Sequence, residues 1–231
     1  MQTAEDFQNG QILLIDKPLT WSSFQAVNKL KYLLKRKYNL SKSFKIGHAG
    51  TLDPLATGLL IVCTGKFTKK ITEIQSQFKE YTGTITVGAT TPSYDLETEV
   101  DKTFPTAHIT TEMIHETVKQ FLGEIDQKPP IFSALKKDGV RLYEHARAGE
   151  EIEIPTRKTT IHEFEITRIS LPQIDFRVQC SKGTYIRSLA FDFGKALQSG
   201  AYLSALRRTK IGEYSVENGL TPEAFEEKLN S

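Results

Sequence analysis

The sequence predicts an α+β fold with a mixed, largely antiparallel sheet flanked by helices and loops. Tyr81 to Val87 (YTGTITV) alternates strictly, with Tyr81, Gly83, Ile85 and Val87 on one face and threonines on the other. Ile174, Phe176, Val178 and Cys180 alternate in the same way with Asp175, Arg177 and Gln179. Both stretches read as half-buried strands of an antiparallel sheet. Strands also outnumber convincing βαβ units, which argues against an all-parallel arrangement.

The remaining elements follow in order. Gln11 to Asp16 (QILLID) reads as a short buried strand ended by Lys17-Pro18. Ser22 or Ser23 caps a helix with Phe24, Val27, Leu30 and Leu34 inward and Lys29, Lys31, Lys35 and Arg36 outward, a cationic face suited to phosphates. Arg36 to Lys45 reads as a basic loop, Leu59 to Cys63 as an apolar run, and residues 71 to 78 as helix. Ala89 to Val100, rich in Thr, Ser and Asp, reads as a surface loop. Thr111 starts a helix with Ile114, Val118, Phe121 and Leu122 inward, stopped by Gly123. Gln127 to Glu153 lacks periodicity and has the composition of a mobile functional loop. Ile152 to Ile169 is strand-like, and Tyr185 to Leu197 reads as helix. A final helix is capped by Thr221, with Pro222 in its first position.

The 231 residues are 39% hydrophobic and 25% charged, the composition of a globular chain. No apolar run approaches the ~20 residues that span a bilayer, and the polar, acidic N-terminus is unlike a signal peptide. Cys63 and Cys180 lie in apolar runs and read as buried free thiols of a cytosolic protein. Net charge is only +2, but charge is segregated: residues 155 to 210 hold ten Lys and Arg against four Asp and Glu. Such segregation makes one face basic, suited to an anionic partner, if this tract meets the basic tract around Gly47 to Gly58 in the fold; otherwise these are ordinary solvated faces.

The stretch Gly47 to Gly58 (GHAGTLDPLATG) stands apart. It packs three glycines and a proline into twelve residues, which holds the backbone in tight turns. From Lys17 to Thr72, Asp53 is the only acidic residue, against eleven Lys and Arg. A lone carboxylate in a basic tract suits a site for an anion with one negative group kept for a task. Asp-Pro before an apolar run also reads as a helix start with Asp53 as N-cap and Pro54 first in the helix; both readings can hold together. Thr64-Gly65-Lys66-Phe67 lacks the spacing and hydroxyl of a phosphate-binding loop, and no G-x-G-x-x-G occurs. The five histidines form no ligand cluster, so no metal site is expected.

GHAGTLDPLATG closely resembles the catalytic loop of the TruB family of tRNA pseudouridine synthases. Cys180 to Gly194 (CSKGTYIRSLAFDFG) resembles a second family motif, and Leu203 to Thr209 (LSALRRT) a third, weaker one. Lys17-Pro18 resembles a short N-terminal motif, for which a packing and positioning role is expected. PPIFSALKKDG and LYEHARAG resemble the insertion that pinches the RNA stem. The resemblance covers about residues 11 to 215. It implies the pseudouridine synthase fold in a single catalytic domain over residues 1–231, with an RNA-clamping insertion at about 127–153 and no C-terminal PUA domain. The implied reaction turns uridine 55 in the T loop of tRNA into pseudouridine, after flipping the base, without cofactor or metal. The implied partner is the T arm of tRNA, met by a cytoplasmic monomer with no membrane and no obligatory protein partner. Carried over residue by residue, Asp53 matches the nucleophile and Arg187 the arginine that pairs with it. Tyr81 matches the tyrosine that stacks on the extruded base, Tyr185 and Leu206 match further base contacts, and His48 matches the histidine that packs into the T loop. Read without the motifs, Arg187 is a surface arginine on a helix, Tyr81 a core aromatic and His48 a buried structural histidine. Whether Asp53 attacks sugar or base stays open. A guide-dependent synthase and a catalytically silent RNA-binding module are the competing functions.

Overall fold

The computed structural model describes residues 3–133, 136–137, 139–142, 144, 148, 150 and 152–230. In chain order, α1 (Ala4–Asn9) is followed by β1 (Ile12–Lys17), α2 (Ser23–Tyr38), β2 (Ile46–His48) and β3 (Ala56–Thr64). A 3₁₀ turn at Gly65–Lys70 leads to α3 (Ile71–Ser76), β4 (Lys79–Val87), β5 (Ala89–Thr90), β6 (Lys102–Thr103), α4 (Thr111–Lys119) and β7 (Gly123–Gln127). Two short strands, β8 (Lys136–Lys137) and β9 (Val140–Arg141), precede β10 (Arg157–Ser170) and β11 (Gln173–Cys180). The chain ends with α5 (Ile186–Ala196), β12 (Ala201–Ile211), β13 (Tyr214–Ser215) and α6 (Pro222–Asn230). The elements form two compact units, residues 1–81 with 206–231 and residues 82–205, whose boundaries fall inside β4 and β12.

In the first unit β3 lies between β1, antiparallel to it, and β12, parallel to it, while β2 pairs with the C-terminal half of β3. A strand enclosed on both faces reads as a continuous apolar run rather than an alternating one, and this is the origin of Leu59-Leu60-Ile61-Val62-Cys63. Leu60 and Val62 pack with Leu13 and Ile15 of β1 and with Leu30 and Leu34 of α2. Leu59, Ile61 and Cys63 point the other way, into a cluster with Ile74 and Ile211. Helix α2 starts at Ser22, whose hydroxyl accepts the Gln25 amide while the Gln25 side chain accepts the Ser22 amide. This reciprocal cap satisfies two N–H groups that the first turn leaves without partners. Asn39, in the left-handed region at φ 49°, closes the helix.

In the second unit the strand order is β4, β11, β10, β7, with antiparallel pairing of β10 to both β11 and β7. Helix α4 packs on β10 and on α5. Phe164 of β10 meets Phe176 of β11 edge to face at 5.9 Å between centroids, and Phe193 of α5 at 5.7 Å. Such pairs are favourable beyond the area they bury. The architecture is the mixed, largely antiparallel α+β arrangement that the strand alternation predicts.

Three local expectations are corrected. Phe24 is 70% exposed, although Val27, Leu30 and Leu34 are buried as expected. The buried stripe of α2 runs through Ser23, Ala26, Leu30 and Leu33, and at 100° per residue Phe24 falls off its edge. Leu122 is 44% exposed because α4 ends at Lys119, before it. The segment from Ala89 to Val100 is not all surface: Thr90, Thr91, Ser93 and Asp95 are buried. Their polarity is satisfied locally, as when Thr91 donates to the Asp95 carbonyl at 2.6 Å and Thr90 to the Asp101 carboxylate at 2.6 Å. In the stretch 127–153, for which mobility is expected, Ala134, Leu135, Asp138, Tyr143, His145, Ala146, Arg147, Gly149 and Glu151 lie outside the described residues. No helix among the described residues is long and apolar enough to cross a membrane.

Candidate active-site loop and buried arginine

The loop from Ala49 to Leu55 joins β2 to β3 in the first unit. It has no regular structure, yet its backbone is anchored nearly residue by residue. Ala49 donates to the Ile61 carbonyl at 2.8 Å. Gly50, at φ 105°, and Thr51 direct their carbonyls to the Arg208 guanidinium at 3.0 and 3.4 Å. The Nε of the same arginine donates to Leu59 O at 2.8 Å. Leu52 is held through both its N–H and its C=O by the Ser23 hydroxyl. The Asp53 carbonyl accepts the Ala56 N–H at 3.1 Å, and the Pro54 carbonyl accepts the Thr20 N–H at 2.8 Å.

Asp53 therefore does not start a helix. Pro54 and Leu55 form a turn, and β3 begins at Ala56. The local Asp-Pro preference is overridden because Ala56 to Thr64 is paired to β1 on one side and β12 on the other. The N-cap reading is corrected, while the carboxylate remains half-buried on an otherwise fixed loop.

Buried cationic groups adjoin this loop. Lys17 is fully buried at the end of β1, its ammonium donating to the carbonyls of Pro18 and Trp21, with Pro54 O at 3.5 Å. Burial pushes its pKa down to about 8; the Asp53 charge opposes this and the Arg208 charge adds to it. Arg208 is 1% exposed. His48, in β2, is held below its usual pKa first by burial and then by the Arg208 charge, with the Gly50 backbone opposing; its buried Nδ1 lacks a well-formed hydrogen bond. Leu206 lies opposite Ala56 in the β3–β12 register, and its carbonyl accepts the Thr57 hydroxyl at 3.4 Å. Tyr81 is a largely buried residue of β4, 9% exposed. The first unit thus holds Asp53, His48, Leu206 and Tyr81.

Tyr185 and Arg187 belong to the second unit. Tyr185 is the non-helical residue before α5. The Gln127 side chain grips its backbone, accepting the Tyr185 N–H at 2.7 Å and donating to its carbonyl at 3.0 Å. Arg187 is 5% exposed, so the surface-arginine reading fails. It donates to the carbonyls of Phe132 at 2.9 Å and Ser93 at 3.3 Å, and its Nε lies 3.6 Å from a carboxylate oxygen of buried Asp95. Burying a guanidinium is costly unless its donors find acceptors, and these three offset that cost. The sequence offered Ser23 only as a possible helix cap, a role that falls to Ser22, and it did not mark Asp95, Gln127 or Arg208 as site residues. Only Arg208 carried a signal, as part of LSALRRT.

Residues 35–186 match the model of the TruB family pseudouridylate synthase, N-terminal domain. This chain belongs to the TruB family. It is 77% identical to the tRNA pseudouridine synthase B of Flavobacterium johnsoniae, over 98% of this chain and 99% of that one. To the tRNA pseudouridine synthase B of Phocaeicola vulgatus it is 52% identical, over 97% of this chain and 95% of that one. Among solved structures it resembles a chain of a Cbf5-Nop10-Gar1 complex, with a TM-score of 0.72 and 29% identity. That match covers 98% of this chain and 56% of the other, so the TruB-family chain spans little more than half the length of that protein. The pseudouridine synthase fold follows. The part matching the TruB model holds the Asp53 loop, Tyr81 and Tyr185 and stops one residue before Arg187.

Proposed function

We propose that this TruB-family chain converts uridine to pseudouridine at position 55 in the T loop of tRNA, with Asp53 as nucleophile. The observation that carries the proposal is the Asp53 loop: a half-buried carboxylate on a backbone fixed at Gly50, Thr51, Leu52, Asp53 and Pro54. Catalysis by positioning needs a nucleophile whose support does not move.

The reaction exchanges one bond to ribose for another. The N1–C1′ bond breaks, the uracil turns over, C5 bonds to C1′, and the C5 proton passes to solvent while N1 gains one. No electrons enter or leave, so the sum of the reaction calls for neither oxidant nor reductant. Asp53 supplies the carboxylate that engages the sugar or the base. Arg187 takes the role that its match to the family arginine implies, that of a cation serving the reacting carboxylate. Tyr81 stacks on the flipped base, Tyr185 and Leu206 contact it, and His48, kept neutral by burial, packs into the space the uridine leaves. Flipping costs a few kcal/mol, offset by such stacking and by phosphate contacts.

The test is tritium release from tRNA labelled at uridine C5, with purified protein and no added cofactor or guide RNA. Release from wild type at position 55, absent with Asp53→Asn, supports the proposal. Release that needs a guide RNA would favour the guide-dependent reading, and no release under either condition would reduce the chain to an RNA-binding module.

A further inference from the structure

Helix α2 is 16 residues long and contains no acidic residue. From Ser23 to Lys45 the chain carries seven Lys and Arg and no Asp or Glu. One of the seven, Lys29, is tied to Glu226 of α6 at 2.5 Å. Of the other helix cations, Arg36 and Lys37 in the last turn are exposed and Lys31 and Lys35 are half-buried.

Two large aromatic side chains stand among these cations. Phe24 is 70% exposed and Tyr32 is 60% exposed. They are eight residues apart, about 12 Å along the axis. At 100° per residue, Lys31, Phe24, Lys35, Asn28 and Tyr32 follow one another around less than a third of the helix circumference. All lie away from the buried stripe of Leu30, Leu33 and Leu34. Solitary exposed apolar residues need no explanation. Two aromatics on one face, with lysines beside them and no carboxylate on the element, form a different pattern: rings for unstacked bases beside cations for the phosphates that join them.

We propose that this face of α2 is a second RNA-contact surface, apart from the Asp53 loop, which stacks unpaired nucleotides of tRNA on Phe24 and Tyr32 and holds the connecting phosphates with Lys31 and Lys35. The proposal rests on the tRNA reading above and names which part of that RNA this face takes. A duplex stem hides its base faces inside the stack, so the rings select a looped or single-stranded segment. The absence of acid on α2 sets a polyanion above a second copy of this chain, which would bring the same positive charge to the contact.

Two double variants separate the parts: Phe24→Ala with Tyr32→Ala, and Lys31→Gln with Lys35→Gln. Dissociation constants for unmodified tRNA are measured across a salt series. The aromatic pair is expected to weaken binding about tenfold or more at every salt concentration, with an unchanged slope of log K against log salt. The lysine pair is expected to flatten that slope by roughly 1.5. Crosslinking of 4-thiouridine-labelled tRNA to wild-type protein, read by mass spectrometry, gives a measure that no variant can disturb; crosslinks on residues 24 to 35 are expected. If wild type binds tRNA and releases tritium while both variants bind as it does and residues 24 to 35 take no crosslink, this inference falls, the face belongs to a protein partner, and the catalytic reading stands. If wild type itself neither binds tRNA nor releases tritium, the catalytic reading falls first and this one with it.

Discussion

The hydroxyl of Ser23 holds Leu52 by both of its backbone polar groups, accepting the N–H at 2.8 Å and donating to the C=O at 3.0 Å. Ser23 is the first residue of α2 and is 2% exposed; Leu52 is the residue before Asp53. One buried oxygen thus couples the start of a long helix to the position of the candidate nucleophile. Ser23→Ala leaves a donor and an acceptor buried without partners, which costs about 2 kcal/mol. Urea unfolding should register that loss, and kcat should fall at least tenfold with KM little changed. A stability loss with unaltered kcat would show that the bond serves the fold and does not aim Asp53.

Asp53→Asn keeps the size of the side chain and removes its charge. Turnover should fall by ~10⁴ or more while tRNA binding changes little, as expected for loss of a covalent nucleophile. The helix-cap role that would have given Asp53 a structural alternative is absent, because β3 begins three residues later. Single-turnover assays beside a binding titration decide the matter, and near-normal turnover would remove Asp53 from the chemistry.

Arg208 ties the start of the same loop to β3. Its guanidinium reaches Gly50, Thr51 and Leu59, and its backbone crosses Gly58 so closely that a Cβ there would stand 2.3 Å from the Arg208 carbonyl oxygen. Arg208→Lys preserves the charge but cannot reproduce a planar fork to three carbonyls. It should lower kcat by about 100-fold with tRNA affinity nearly intact, since misplacement of a reacting group by ~1 Å has that effect. Gly58→Ala combines the close contact with a φ of 99° and should destabilise the protein by at least ~2 kcal/mol. Wild-type kcat in Arg208→Lys would show that the loop holds its shape without the fork.

What the sequence made legible is what is local. The alternation of Ile174 to Cys180, the cap at Ser22, one of the two serines the pattern offered, and the apolar run of β3 each report the immediate environment of a few residues. What was hidden is joined across the chain. Arg208 meets Leu59 at a separation of 149 residues, Ser23 meets Leu52 at 29, and Asp95 meets Arg187 across the length of α4, β7 and β10. No periodicity encodes such pairs. The Asp53 loop stood out through its glycines, its proline and its isolated charge, but its catalytic role came from the resemblance of GHAGTLDPLATG to the TruB motif; the Asp-Pro pair alone pointed to a helix, which pairing on both sides of β3 prevents. Phe24 misled for a related reason: it is apolar, but the spacing of its own helix puts it outside.

Lys17 makes the stability of the protein depend on pH in a direction opposite to that of a paired surface lysine. Its folded-state pKa is lowered from 10.5 to about 8, with burial the first cause. Below pH 8 it is protonated in both the folded and unfolded states, and the folded state bears the full cost of burying the charge. Between about pH 8 and 10.5 the folded state has released its proton while the unfolded state still binds one. The unfolded state then holds more protons, so stability rises with pH across that window, by an amount of order 3 kcal/mol at its upper end. Other groups also titrate there, so the readout is a difference: the unfolding free energy of wild type minus that of Lys17→Met should be flat from pH 6 to 7.5 and climb from pH 8 to 10. The Asp53 charge is what opposes the shift in Lys17. In Asp53→Asn that support is gone, Lys17 releases its proton more readily, and the climb should begin at a lower pH. Parallel curves for wild type and Lys17→Met would show that Lys17 keeps an ordinary pKa despite its burial. An unmoved onset in Asp53→Asn would show that Lys17 does not sense the Asp53 charge.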